Sequence, residues 1–167
     1  MLAIWHLARM RHKITFATLT AILAVSTVQA APVSLTVNKQ CGIVEGSNVY
    51  NLGSNADIFL KKFGIPDKKS TSNDGKSIIL NYKSEGIQVI YSISSRKITS
   101  FMLDLEIDPS FSLINGPRLS DSKRLLAKVL GAPVESNMIA DEYRKSGCTI
   151  IVFKQALTDI PMLASIE

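Results

Sequence analysis

Residues 61–69 read KKFGIPDKK and residues 127–136 read AKVLGAPVES. In each, an apolar stretch with helical spacing runs into Gly-x-Pro: Gly64-Ile65-Pro66, then Gly131-Ala132-Pro133. A glycine just past the last turn takes the left-handed conformation that closes a helix, and a proline two residues on cannot continue it. One such site is a weak signal. Two at a constant offset of sixty-seven are stronger, because the match runs upstream: residues 57–63 (DIFLKKF) align with 124–130 (RLLAKVL). Both carry apolar residues at three- and four-residue spacing, as a helix with one buried face requires. Ser54 and Asn55 precede the first, and Ser120, Asp121 and Ser122 the second. Their side-chain oxygens suit the free N–H groups of a first turn.

The match resumes downstream, where residues 82–91 (YKSEGIQVIY) align with 143–152 (YRKSGCTIIV) at an offset of sixty-one. Each reads as a strand end, a tight turn closing on Gly, and a second strand rich in β-branched residues. The first copy therefore holds about six extra residues, which fall in the polar stretch Lys69–Lys76 (KSTSNDGK). A third strand is expected over Ile98–Ile107 and, more loosely, over Leu157–Ile166, where Pro161 predicts an edge or bulged strand. Short extended pieces, Ser34–Val37 and Phe111–Ile114, stand upstream of the helices, the second ending in the turn dipeptide Asn115-Gly116. The expected fold is α+β: two tandem helix-plus-three-strand units, forming one antiparallel sheet with the helices packed on one face. The units run over 31–107 and 111–167, joined by the 108–117 connection, within a single domain 31–167.

Residues 1–30 read as a signal peptide. Arg9, Arg11 and Lys13 make a positive start, Ile14–Val28 is apolar and uncharged, and Val28-Gln29-Ala30 suits a signal-peptidase site. An apolar run of fifteen residues is short for a membrane span, which needs about 20. Cleavage after Ala30 implies export to the bacterial periplasm with no stable membrane anchor. The alternative is that the segment is retained as an anchor. Both histidines and the only tryptophan lie within it. Beyond it stand 16 basic and 14 acidic residues, a formal charge of +2, with no clustering of Lys and Arg. Nucleic acid is therefore not an expected partner. Cys41 and Cys148 are the two cysteines, and an even count in an exported chain predicts a disulfide between them. The alternative is two buried, inert thiols.

The tandem of helix, Gly-x-Pro break and three strands resembles the β-lactamase-inhibitor-protein-like architecture. A single unit resembles the outer-membrane assembly lipoproteins of the SmpA/OmlA type, though this chain lacks a lipidated cysteine at the cleavage point. The pattern of Asn turn, apolar helix, Leu-Gly-x-Pro and Tyr-x-x-x-Gly strand pair also resembles small bacterial proteins found beside secreted toxins. These resemblances imply a binding or inhibitory role, including that of a periplasmic immunity protein.

The chemistry available is sparse. Without a histidine beyond residue 30, a Ser-His-Asp or Cys-His arrangement has no base, and the usual His-containing zinc sites have no ligand. No phosphate-loop or dinucleotide motif occurs, so no enzyme activity and no cofactor are expected. Asp104 and Glu106, with Met102, fall on one face of the expected third strand, a pattern that also describes a solvated sheet face. Ser72, Asn73, Asp74 and Lys76 mark the inserted polar loop as a turn, or as a loop reaching into a partner's cleft. Asp141-Glu142 diverge on a strand, and Tyr82 and Tyr143 occupy matching positions that favour packing.

Ile90, Ile151 and Phe153 alternate away from the expected core face and predict a partly apolar sheet surface. Burial on both faces, or a register slip of one residue, would place them otherwise. The expectation is a non-enzymatic periplasmic protein-binding module, monomeric or homodimeric, that inhibits an envelope-acting toxin or enzyme. The alternative is an envelope scaffold or outer-membrane assembly factor.

Overall fold

The computed structural model describes residues 33–36, 41–155, 158 and 160–167, so the expected signal segment 1–30 lies outside the described residues. The described chain runs β1 (Val33–Thr36), β2 (Gly42–Glu45), β3 (Asn48–Asn51), α1 (Ala56–Phe63), β4 (Lys68–Thr71), β5 (Ser77–Tyr82) and β6 (Ile87–Ser92). It continues with β7 (Ile98–Asp104), β8 (Ser112–Leu113), α2 (Lys123–Leu130), β9 (Glu135–Ser136), β10 (Ala140–Lys145), β11 (Cys148–Lys154) and β12 (Pro161–Ile166).

Both helix stops behave as their residues dictate. Gly64 has φ 75° and donates its N–H to the Leu60 carbonyl at 2.9 Å; Gly131 has φ 91° and donates to Ala127 at 3.0 Å. A left-handed backbone of this kind strains any residue with a Cβ.

The expected α+β arrangement of two helix-plus-three-strand units in one sheet is overturned. The protein is mostly β, with only two eight-residue helices among the described residues, and it holds two sheets. One has the order β3-β2-β1-β8; the other has eight antiparallel strands in the order β4-β5-β6-β7-β12-β11-β10-β9. Three local features explain the difference. The N-terminal pieces do not simply lead into helices: β1 pairs antiparallel with β2 and parallel with β8, which builds the smaller sheet. The polar stretch after Gly64-Ile65-Pro66 is a strand before it is a loop, since β4 pairs with β5 from Lys68↔Asn81 to Thr71↔Ile78. Its sequence KKST lacks apolar residues because it lies at the sheet edge, where charge deters pairing with another chain. Finally, of the two readings of Pro161, an edge or a bulged strand, the second holds. β12 is hydrogen-bonded to β7 and β11 on its two sides, and Pro161 is its first residue, beside a register shift at Phe153/Lys154. A proline at a strand's first position withholds no necessary ladder bond.

Side-chain alternation across the large sheet decides what is covered. Leu80, Val89, Phe101, Ile166, Ile150 and Tyr143 are register partners across six strands, and none is more than 1% exposed. On this inner face α1 brings Phe59, stacked on Phe63 at 4.0 Å between ring centres. Phe59 also meets Tyr50 of β3 at 5.1 Å and Tyr82 of β5 at 5.5 Å. Leu126 and Leu130 of α2 and Leu35 and Ile43 of the smaller sheet belong to the same buried cluster. The expected disulfide is present: Cys41, just before β2, is bonded to Cys148 of β11 with 5.4 Å between Cα atoms.

Candidate protein-binding face

Among the described residues, the other face of the eight-stranded sheet carries no helix and no second sheet. Its register row runs Lys68, Asn81, Gln88, Met102, Ser165, Ile151, Glu142 and Glu135, one residue from each strand. Beside it Ile79 pairs with Ile90, and Ile90 with Ser100; on the other side Asp104 pairs with Leu163, and Leu163 with Phe153. The seam between β7 and β12 is lined by two small residues, Ser100 and Ser165, which are 8% and 4% exposed. Their hydroxyls lie 3.4 Å apart, so each has a hydrogen-bonding neighbour, and Met102 pairs with Ser165 across the seam. Ile90, Met102, Ile151 and Leu163 surround them and remain half-buried. Toward one end, Asn81, Gln88, Met102, Asp104 and Leu163 line a depression of about 180 Å³.

The structure thus brings Ile90, Met102, Ile151 and Phe153 onto one open surface and places Asp104 at its margin. It does not bring Glu106 there. β7 ends at Asp104, whose carboxylate accepts from the N–H groups of Glu106 and Ile107 at 3.1 and 3.2 Å. That side chain turns the backbone, so Asp104 and Glu106 no longer alternate on a strand.

Ser72, Asn73, Asp74 and Lys76 form the β4–β5 turn, at the opposite end of the strands from Asp104. The turn is satisfied internally. Ser72 Oγ donates to Asp74 at 2.6 Å, the Lys76 N–H donates to Asp74 at 3.1 Å, and the Ser77 N–H donates to Ser72 Oγ at 2.9 Å. Hydrogen bonding from Ser72, then from the Lys76 amide, holds the Asp74 carboxyl below its ordinary range. The hairpin tip is therefore shaped before any partner arrives.

The expected divergence of Asp141 and Glu142 is found, but its consequence is larger than a solvated strand suggests. Glu142 faces the open side, held by Arg144 at 2.7 Å. Asp141 is 3% exposed on the inner side, with Lys123 and Lys154 ammonium groups at 3.3 and 3.4 Å and a hydrogen bond from Ser136. Burial pushes its carboxyl up, but the Ser136 and Lys123 hydrogen bonds and both lysine charges outweigh that and hold it below the ordinary value. A sequence signal for this existed. Tyr143 reads as core, and period-two alternation puts Asp141 on the same face.

Tyr143 itself is fully buried and its hydroxyl has no hydrogen-bond partner; burial, then the Asp141 charge, pushes it up to about 12. Tyr82 is buried as well, and its hydroxyl donates to the Gly64 carbonyl at 3.2 Å. Both tyrosines pack, as their matching positions led one to expect.

No family model matches this chain, and neither the curated proteins nor the solved structures contain a match to it. Nothing in these comparisons identifies the β-lactamase-inhibitor-protein-like architecture or the SmpA/OmlA type.

Proposed function

We propose that the protein is an exported, non-enzymatic binding protein of the bacterial periplasm, an inhibitor or immunity protein that occludes an envelope-acting toxin or enzyme. The observation that carries this reading is the uncovered face of the eight-stranded sheet, with apolar side chains grouped around a seam of small residues. Eight strands spaced about 4.8 Å apart span about 34 Å, and six-residue strands add about 20 Å in the other direction. The resulting surface of roughly 700 Å² approaches the ~800 Å² that each partner contributes to a standard interface. A sheet held by a disulfide and a single core is stiff, which limits the ordering cost of association. Asp104, Glu135, Lys68 and the Glu142–Arg144 pair border the face, so the fitting partner presents an apolar ridge flanked by charges of both signs.

The test is capture of secreted proteins encoded beside its gene, using the protein purified from its producing cell. A complex is expected, and Ile90→Glu with Ile151→Glu should abolish it while the circular dichroism spectrum is unchanged. Absence of binding to every neighbour product, together with a deletion strain that is sensitised to no toxin, overturns the proposal. Constitutive co-purification with an outer-membrane complex would support the scaffold alternative instead.

A further inference from the structure

On the covered side of the large sheet, apart from the open face, the first turn of α2 and the β9–β10 turn enclose a cavity of about 620 Å³ over β11 and β12. Volumes of this size hold small organic ligands. Leu126, Met138, Val152 and Pro161 supply apolar wall, and Lys123, Arg124 and Lys154 supply positive charge. Two carboxylates border the space. Asp121 is turned onto its own loop, accepting from the Arg118 N–H at 2.9 Å. Asp141 is buried between two of the lysines. The described lining residues thus include three cations and two carboxylates. Lys123 remains 49% exposed at the side chain, and Ser122 makes no side-chain bond to the amides of the first turn.

Lys123 is tied to Asp141 and donates to Ser136 at 2.6 Å, so these groups and Lys154 form a closed cluster that pins α2 to the sheet. Arg124 stands outside that cluster, and with the half-exposed Lys123 it borders the pocket beside the apolar wall. We propose that this cavity binds a small amphiphilic anion, a carboxylate or phosphate head on an apolar body. Lys123 and Arg124 take the head, Lys154 and Asp141 hold the floor, and Leu126, Met138 and Val152 take the body. Transfer of the body from water supplies affinity in proportion to the apolar area covered, while the cations select the sign of the head.

The experiment is an amide-resolved NMR titration with decanoate below its micelle-forming range, beside decyltrimethylammonium, inorganic phosphate and phosphatidylglycerol vesicles. Decanoate should give saturable shifts at Lys123, Leu126 and Val152, the cationic amphiphile none there, and inorganic phosphate binding about tenfold weaker because it lacks the apolar body. Lys123→Glu and, independently, the exposed Arg124→Glu should each weaken decanoate about tenfold or more, the scale of a charged hydrogen bond. Competition by the vesicles would identify a lipid as the source of the anion; decanoate binding without vesicle competition would identify a soluble acid. Equal binding of the two amphiphiles, shifts confined to the open face, or unchanged affinity in both glutamate variants overturns the proposal. These outcomes are independent of whether the open face binds a protein.

Discussion

The two helices end alike and begin differently. At α1, Asn55 caps the first turn by accepting from the Asp57 N–H at 2.9 Å, and Asp57 is ion-paired with Arg96. Phe59 is enclosed by three other aromatic rings within 5.5 Å, and the Tyr82 hydroxyl reaches the Gly64 carbonyl. At α2 there is no side-chain cap, no acid in the first turn and no aromatic residue in the helix, and the equivalent Tyr143 hydroxyl is unpartnered. The same Gly-x-Pro stop therefore closes one corner packed with aromatic rings and another that has neither the rings nor the cap. The difference teaches that the first corner is held by aromatic packing and a capped turn, and that the second does without them beside the larger pocket.

That contrast is open to measurement. The largest effect expected is from Phe59→Ala, which should cost about 3–5 kcal/mol by equilibrium denaturation, against about 2–3 kcal/mol for Leu126→Ala. Equal losses would show that α2 is packed as tightly as α1. Next, Tyr82→Phe should destabilise by about 1 kcal/mol through its lost hydrogen bond, while Tyr143→Phe should be neutral or stabilising, because it removes a buried, unbonded hydroxyl. A thermal-melt difference of the opposite sign would mean that Tyr143 has a partner in solution. Of similar or smaller size, Asn55→Ala should lose about 1 kcal/mol and Ser122→Asp should gain about 0.5–1 kcal/mol, since only α2 has a vacant cap.

The gentlest probe is acid. The folded Asp141 carboxyl lies below its unfolded value, so its contribution is fully present above the unfolded pKa of about 4 and is lost as pH falls through the folded value. Asp57 is shifted the same way, first by its hydrogen bond from Arg96, but it is exposed and should be screened by salt. Denaturation at pH 3 and pH 6 in 1 M salt should therefore keep the Asp141 dependence, absent in Asp141→Asn, and diminish that of Asp57.

Particular residues show how far the sequence carried. The helix stops at Gly64 and Gly131, the pairing of Cys41 with Cys148, and the inward positions of Tyr82 and Tyr143 follow from local chemistry and period-two alternation. Ile90, Ile151 and Phe153 were legible as outward residues for the same reason. β4 was not, because a short edge strand made of KKST looks like a polar loop until a neighbour pairs with it. The end of β7 was not, because Asp104 turns the chain through a side-chain bond that competes with strand pairing. The Asp141 cluster was missed because its lysines come from α2 and β11, far along the chain.

The sequence by itself determined where the two helices end, that Tyr82 and Tyr143 face inward with Ile90, Ile151 and Phe153 opposite, and that the two cysteines pair. These depend on backbone preferences and on hydrophobic patterns a few residues long. Only the tertiary structure decided that β7 lies beside β12, joining two four-stranded meanders into one sheet, and that β1 and β8 form another. Strand pairing across some sixty residues depends on which edges remain free after local hairpins have formed. That choice, and no local propensity, left one face of the large sheet open and a charged cavity beneath α2.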